Sequence, residues 1–477
     1  MSIYFNGNEV RNMEHKRQFL ICKKELILPN FHRVRLFAGF FLYYHMDLDI
    51  AASDGSKNLL LGSAFKSTPG VISDDLRAIN TDNIADITSN WSGRWLVIVA
   101  NTLHLDPGGM LGCYYGLQAG EPVLSSSLAL LNEIFSFEKN NDFKDIKHGN
   151  AMNWFPPPLT IFNGVKKLLV GQAININEGT IKRAGKRENK FRHLAQSEVY
   201  TTLAIRLTTI VKNVCRVYGD EIYLPLTAGF DSRTLLAALL NSQTSFSAFL
   251  FEHDNISAAD NKIPATLAAK FKFSFSFINR EKAFNKQKYD EYIAHSAGQA
   301  ADADGLFHAH SQFESLASKS TNKKKIILRG GVWETGRNFY PTIDNALTLE
   351  EDILANLKPR FPILRESKLH EESVKLWIQH TQATHSNLSF RDRFYLEQRV
   401  SGWLAALEQA MDLTSFDRIH PANCQDIVDL LALTEFNPQP KIIQELQLKL
   451  LETAFNPRSL KEILKDFYYY AYHKLRQ

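Results

Sequence analysis

The stretch Ile222-Tyr-Leu-Pro-Leu-Thr-Ala-Gly-Phe-Asp-Ser-Arg233 constrains this chain more than any other. Ile222 to Leu226 is a short apolar run that reads as a buried strand. Small residues follow, then an Asp-Ser pair, then the helical pattern Thr234-Leu-Leu-Ala-Ala-Leu-Leu240. A strand that passes through a tight small-residue loop into a helix N-terminus is built to hold phosphate. The backbone N–H groups of Leu226, Thr227, Ala228 and Gly229 and of the first helical turn point at the anion, and small side chains let it approach. Ser232 adds a hydroxyl there. Asp231 places a carboxylate where a phosphate-bound Mg²⁺ would sit. An ATP-using enzyme is therefore the leading reading.

The pattern around this segment predicts the architecture. Residues 1–185 read as β-rich, with short apolar segments at Phe37–Tyr44, Asn58–Leu61, Trp95–Ala100, Gly112–Tyr115, Pro122–Leu128 and Gln172–Ile176 between turn signals such as Asp106-Pro-Gly-Gly109. The basic stretch Lys182–Lys190 reads as a linker. From about Ser197 the pattern alternates: helix over Val199–Val217, the strand at Ile222, strand Ser245–Phe251, helix Ala258–Phe271, strand Ser274–Ile278, a helical region around 285–319 and strand Lys325–Leu328. That order predicts a parallel sheet with helices on both faces, whose ligand sits at the carboxyl ends of the strands. The loops after Leu226, Phe251 and Leu328 are then the ones that carry function. Residues 345–477 read as mostly helical.

A second such loop, Leu328-Arg-Gly-Gly-Val-Trp-Glu-Thr-Gly-Arg-Asn-Phe-Tyr340, puts Gly330 and Gly331 at a strand end and follows them with Glu334. Two acids facing one cleft, Asp231 and Glu334, are what a Mg·ATP site needs. Arg233 and Arg329 flank the two loops. Either can hold a phosphate or a substrate carboxylate, or close an ion pair.

Bulk properties exclude other classes. At 477 residues two or three domains are expected. A net charge of +4 argues against a nucleic-acid or membrane-surface role. Cys22, Cys113, Cys215 and Cys424 lie far apart with no CxxC spacing, which predicts reduced core thiols in a cytoplasmic protein rather than a disulfide framework or zinc site. No run reaches the roughly 20 apolar residues of a membrane-spanning helix, and Met1-Ser-Ile-Tyr-Phe-Asn-Gly lacks the apolar segment of a signal peptide.

With both loops in view, the chain resembles the asparagine synthetase family, whose relatives include the β-lactam synthetases and the cyclases of lasso peptides. The family loop Ser-Gly-Gly-x-Asp-Ser is matched by Thr227-Ala-Gly-Phe-Asp-Ser232, with Ala228 replacing a glycine. The later motif Leu-Ser-Gly-Glu-Gly-Ala-Asp-Glu, with a Tyr shortly after, aligns with Leu328–Tyr340 without a gap, so that Glu334 falls on a metal-binding Asp and Tyr340 on the Tyr. Asp260 matches an Asp that begins a helix. Arg399, Leu407-Glu408 and Pro421 follow a further segment, after which the family has a lysine, Lys441 or Lys449 here. Leu59-Leu-Leu-Gly62, Tyr114-Tyr-Gly116, Leu124-Ser-Ser-Ser127 and Pro158–Leu168 follow the family's N-terminal part.

The resemblance implies an α/β protein. A glutaminase-like (Ntn) β-rich sandwich at 1–185 would precede an α/β parallel-sheet ATP-pyrophosphatase domain at 195–477 with a helical C-terminal part. It implies ATP and Mg²⁺, with phosphates over 227–232, the metal on Asp231 and Glu334, adenine near Phe251, and Lys441 as the stabiliser of an oxyanion. A carboxylate would be adenylated with release of pyrophosphate and passed to an amine. The family's N-terminal nucleophile is a cysteine directly after the initiator Met. Ser2 stands there, so the sandwich is expected to lack glutamine hydrolysis. The amine would then come from a small molecule or a peptide, as in macrolactam formation, with a precursor peptide or protease as partner and with neither nucleic acid nor membrane. Gly331 stands where the family has Glu or Tyr, which leaves Glu408 or Tyr340 as the catalytic base. Competing expectations are a conventional glutamine-dependent asparagine synthetase, an enzyme that adenylates a tRNA base, and a non-catalytic family member.

Overall fold

The computed structural model describes residues 14–53, 58–144, 152–183, 187–252, 256–278, 324–337, 339–435 and 437–447, with 290, 291, 294, 295, 299 and 316. The N-terminal part is two antiparallel six-stranded sheets. The first runs, in spatial order, through Lys166–Lys167, Tyr114–Gln118, Glu121–Ser125, Phe19–Cys22, Phe41–His45 and Phe31–Arg35. The second runs through Ile181–Arg183, Gln172–Asn175, Thr102–Leu105, Trp91–Val99, Asn58–Lys66 and Ile50–Ala52. Phe19, Ile21, Leu42 and Leu124 from one sheet and Leu61, Leu96, Ile98 and Ile174 from the other make the layer between them. The strand Trp91–Val99 is buried along its whole length. Its period-2 alternation sends Leu96 and Ile98 into that layer, and Trp91, Trp95, Val97 and Val99 under a helical cover that includes Leu76 and Ile84. Several details differ from the sequence reading. Phe19–Cys22 and Phe31–Arg35 are additional strands, Leu128 opens a helix capped by Ser127 rather than ending a strand, and Ile181–Arg183 is paired β-structure within the expected linker.

The second part is a five-stranded sheet in which every neighbouring pair is parallel. We number its strands β1 (Ile222–Pro225), β2 (Ser247–Phe251), β3 (Ser274–Ile278), β4 (Lys325–Leu328) and β5 (Phe416–Ile419). Their spatial order is β3-β2-β1-β4-β5. Helices α1 (Gln196–Tyr218), α2 (Phe230–Ser242) and α3 (Ala258–Phe271) accompany the first three strands. Most of the predicted 285–319 helical region lies outside the described residues. Strand β5 falls inside the stretch expected to be helical. Its Asp417 and Arg418 hide its β character from an apolar-run reading, and both charges are paired in the fold. Tyr218 donates to Asp417 at 2.9 Å, and Arg418 donates to Glu408 at 2.7 Å. Among the described residues no helix is long and apolar enough to cross a membrane. All four cysteines are buried and unbridged.

The order 3-2-1-4-5 has one reversal, between β1 and β4. Connections leave these two adjacent strands in opposite directions, which opens a crevice at their carboxyl ends. Asp231 follows β1 and Glu334 follows β4, so the two acids flank that crevice.

The sandwich grips the parallel sheet through its own central strand. The residues leaving β5 lie against Trp91–Val99: Ser92 donates to the Pro421 carbonyl at 2.8 Å, and Asn423 donates to Gly93 O and Asp106 Oδ1 at 2.7 and 2.8 Å. Beside them Arg94 closes a bidentate pair on Asp412, at 2.6 and 2.8 Å, which also accepts from Gln18 at 2.8 Å. Both partners are almost wholly buried. Removing one charge strands the other in a low dielectric, which costs roughly 3–5 kcal/mol. Asp412→Ala is therefore expected to lower stability by about that amount. Urea unfolding followed by tryptophan fluorescence measures it, and a loss below about 1 kcal/mol would refute a supporting role for the pair.

Candidate active site

The first loop is ordered by its own side chains. Gly229 precedes α2, and the Thr227 N–H and hydroxyl both meet Ser232 Oγ at 3.1 Å. The Gly229 N–H donates to Thr227 Oγ1 at 3.1 Å, and the Ala228 N–H donates to Asp260 Oδ1 at 2.7 Å. Asp260 sits in the first turn of α3, where Ser257 caps the helix and donates to its other oxygen at 2.8 Å. A carboxylate thus already sits on one loop donor. Leu226 continues β1 by donating to the Phe249 carbonyl at 2.9 Å. Arg233 is buried, donates to the Ala228 carbonyl and lies against the Phe230 ring. Burial lowers its guanidinium to about 10 against the opposing pull of Asp260. Phe251 packs against Phe249 at the end of β2, with the rings tilted by 60° and 5.0 Å between centroids.

The second loop is set by close approach. A Cβ at Gly330 would press on Asp231 Cβ at 3.2 Å, so the backbone of one loop rests on the acid of the other. A Cβ at Gly331 would overlap the His420 ring. The Gly331 N–H donates to His420 Nδ1 at 3.1 Å, which puts the ring proton on Nε2, facing Glu408 Oε1 at 3.1 Å. The next residue, Val332, is buried and adopts φ +76°, a costly conformation for a β-branched side chain that the surrounding packing imposes.

These constraints bring Asp231 and Glu334 into one electrostatic unit. Asp231 is raised to about 6, first by burial and then by the charge of Glu334, against Arg337 and Gln439. Arg337 and Gln439 donate to Asp231 Oδ1 at 2.9 and 2.8 Å. Tyr395 donates to Glu334 Oε2 at 2.6 Å, and burial followed by Glu334 raises that phenol well above its ordinary value. Two hard oxygen ligands held against their mutual repulsion suit a divalent cation whose remaining ligands come from phosphate and water. Among the described residues no cluster of three His, Cys, Asp or Glu could hold a metal by itself.

The other expected residues divide by position. Glu408 is 1 % exposed and belongs to the wall behind the second loop. Burial alone would raise it, but Arg329, His420 and Arg418 hold it well below the usual carboxylate range. Tyr340 is buried and packs on Phe339, Phe361 and Phe394. Neither group is presented to an incoming amine as a proton acceptor. Lys441 is 49 % exposed, pairs with Glu435 at 2.6 Å and covers the Tyr200 ring. Its helix α5 (Gln439–Gln447, α4 being Ala405–Met411) brings Gln439, not Lys441, to Asp231. Ser2 and Lys449 lie outside the described residues.

No known protein-family profile matches the sequence, and no curated protein does. Solved structures that resemble the chain include NMN synthetase from Francisella tularensis, at 13% identity over 43% of this chain and 93% of that one, TM-score 0.23. A glutamine-dependent NAD+ synthetase from Acinetobacter baumannii in complex with ADP matches at 14% identity over 51% of this chain and 56% of that one, TM-score 0.23. Glutamine PRPP amidotransferase from B. subtilis, complexed with ADP and GMP, matches at 10% identity over 68% and 71%, TM-score 0.21.

Four residues complete the site without a local sequence signal: Arg337, Tyr395, His420 and Gln439. Tyr395 belongs to an 11-residue π-helix, Phe394–Leu404. Such wide turns occur chiefly where a side chain must be re-aimed at a functional site. His420 could have been suspected from Gly331, since a missing side chain leaves space that another residue fills.

The raised Asp231 pKa fixes a sign. Its folded value of about 6 exceeds the usual value of 3.8, so its favourable contribution is complete below the unfolded value and is lost as pH rises through 6. Asp231→Asn is therefore expected to gain stability relative to wild type between about pH 4 and pH 7. Urea midpoints across that range test it, and a pH-independent difference would contradict the raised pKa.

Proposed function

We propose that the chain is an ATP-dependent amide-forming synthetase that adenylates a carboxylic acid, releases pyrophosphate and transfers the acyl group to an amine. The observation that carries the reading is the pair Asp231 and Glu334, which interact electrostatically at the reversal point of the parallel sheet beside the Thr227–Ser232 loop. In this reading the triphosphate lies over residues 227–232, displacing Asp260 from the Ala228 N–H. Mg²⁺ on Asp231 and Glu334 would supply charge neutralisation for the phosphates. Attack by a substrate carboxylate on the α-phosphorus forms the acyl-adenylate, and attack by an amine on its carbonyl forms the amide and expels AMP.

The residues of the chain contribute mainly position. Arg337 and Gln439 fix the orientation of Asp231, and Tyr395 fixes that of Glu334. Glu408 and His420 brace the Gly330–Gly331 turn from behind. Arg329, whose Nε is 3.5 Å from Glu408, ties that brace to the end of β4. Preorganised groups of this kind act without reorganising during reaction. The amine is carried by a second small molecule or by a peptide, and an intramolecular amine would give a macrolactam.

The test is pyrophosphate exchange into ATP, measured across a panel of carboxylic acids. Wild type should show acid-dependent exchange, and Asp231→Ala and Glu334→Ala should each lower it by at least about a hundredfold, in line with loss of a principal electrostatic group. Exchange that survives both substitutions would refute the site. Tyr395→Phe should reduce exchange by roughly tenfold, the value of one charge-assisted hydrogen bond, while leaving the melting temperature within a few degrees.

A further inference from the structure

Beyond the two carboxylates lies an arginine that the proposed chemistry does not use. Arg399 sits on the π-helix one turn after Tyr395, with its guanidinium carbon 4.6 Å from the Trp403 ring centroid, 5.0 Å from Phe339 and 5.9 Å from Trp154. Three rings surround the guanidinium and part of its N–H edge interacts with the buried Tyr340 hydroxyl, so the remaining N–H groups are the part that can bind an anion. Among the described residues no carboxylate lies within ion-pair distance of it. The guanidinium fork of donors is matched by a carboxylate or a phosphate.

The surroundings point to a ligand. Arg399 and Trp403 are half-buried, and Phe339 is 36 % exposed, so the framed guanidinium borders solvent. The cage also borders the nucleotide crevice. The Phe339 ring is 5.2 Å from that of Tyr395, whose hydroxyl binds Glu334. The framework is fixed from both parts of the chain. Trp154 comes from the segment following the sandwich helix and lies so close to Gly402 that a Cβ there would overlap its indole. Trp403 keeps a buried indole N–H that meets no acceptor among the described residues.

We propose that Arg399, framed by Trp154, Phe339 and Trp403, is a substrate subsite for an acid with a flat apolar body and a second oxyanion. The oxyanion binds the guanidinium edge bidentately, the body lies along Phe339 and Trp403, and the carboxylate to be activated points toward Glu334. The ligand's identity as the acyl substrate rests on the adenylation reading. The existence of the subsite does not.

Calorimetric titration of the full chain with Mg²⁺ and α,β-methylene-ATP, followed by terephthalate, benzoate or glutarate, tests this. Terephthalate should bind at least about tenfold more tightly than benzoate, which lacks the second oxyanion, and more tightly than glutarate, which lacks the flat body. Arg399→Gln should weaken terephthalate by about tenfold to a hundredfold and leave the nucleotide unchanged. Arg399→Lys keeps the charge but loses the planar fork, and should fall between. Equal binding of terephthalate and benzoate, or an Arg399→Gln variant that is folded by circular dichroism and binds terephthalate normally, would overturn the subsite. A variant weakened for nucleotide alone would assign Arg399 to a phosphate and overturn it as well. If the nucleotide fails to bind wild type while terephthalate still binds through Arg399, the adenylation reading fails and the subsite stands.

Discussion

A buried run of charges behind the second loop holds this molecule together. Glu408 accepts from Arg418 at 2.7 Å, Arg418 reaches Asp412 at 3.5 Å, and Asp412 closes the bidentate pair with Arg94 of the sandwich. At the other end Glu408 accepts from His420, which receives the Gly331 N–H. An unbroken chain of ionic and hydrogen-bonded contacts therefore links the central strand of the N-terminal sandwich to the loop that carries Glu334. Each charge is nearly inaccessible to solvent, so none can be removed without stranding its neighbour. The geometry of the second loop depends on this chain of contacts to the sandwich.

The same constraint explains the conformation of the second loop. Val332 is forced into the left-handed region between Gly331, pinned to His420, and Trp333, which is buried. Strain of this kind persists only where the surroundings over-determine it, and it concentrates where function fixes a direction. The direction fixed here is that of Glu334 toward Asp231. Burial, and after it the charge of Glu334, raises Asp231 to about 6, and a divalent cation would relieve the repulsive part of that penalty.

Much of the fold was legible because local and global signals agree. Strands β1 to β4 are apolar runs bounded by turns, and the N-terminal Ser257 and the bounds of α3 follow simple capping rules. The two acids were legible because each follows small residues at a strand end. Strand β5 was not, since its Asp417 and Arg418 look solvated in sequence and are paired only by residues distant along the chain. The family resemblance offers Lys441, yet Gln439 lies on the other side of the same helix and is the residue that reaches Asp231. Glu408 was legible as an acid near the site, but whether it faces substrate or the core depends on Arg418, ten residues on, and on Arg94 beyond Asp412. Tyr395 and Arg399 depend on a π-helix, whose period no amphipathic pattern announces.

Under the proposed adenylation, the crevice is tested by where ATP is cut. Cleavage between the α- and β-phosphates follows from a carboxylate attacking the α-phosphorus beside the Asp231–Glu334 pair. Phosphorus NMR of the products formed from ATP, Mg²⁺, a bound carboxylic acid and hydroxylamine reads this directly. The account predicts AMP and pyrophosphate in equal amounts, matched by the hydroxamate. ADP and inorganic phosphate would contradict it.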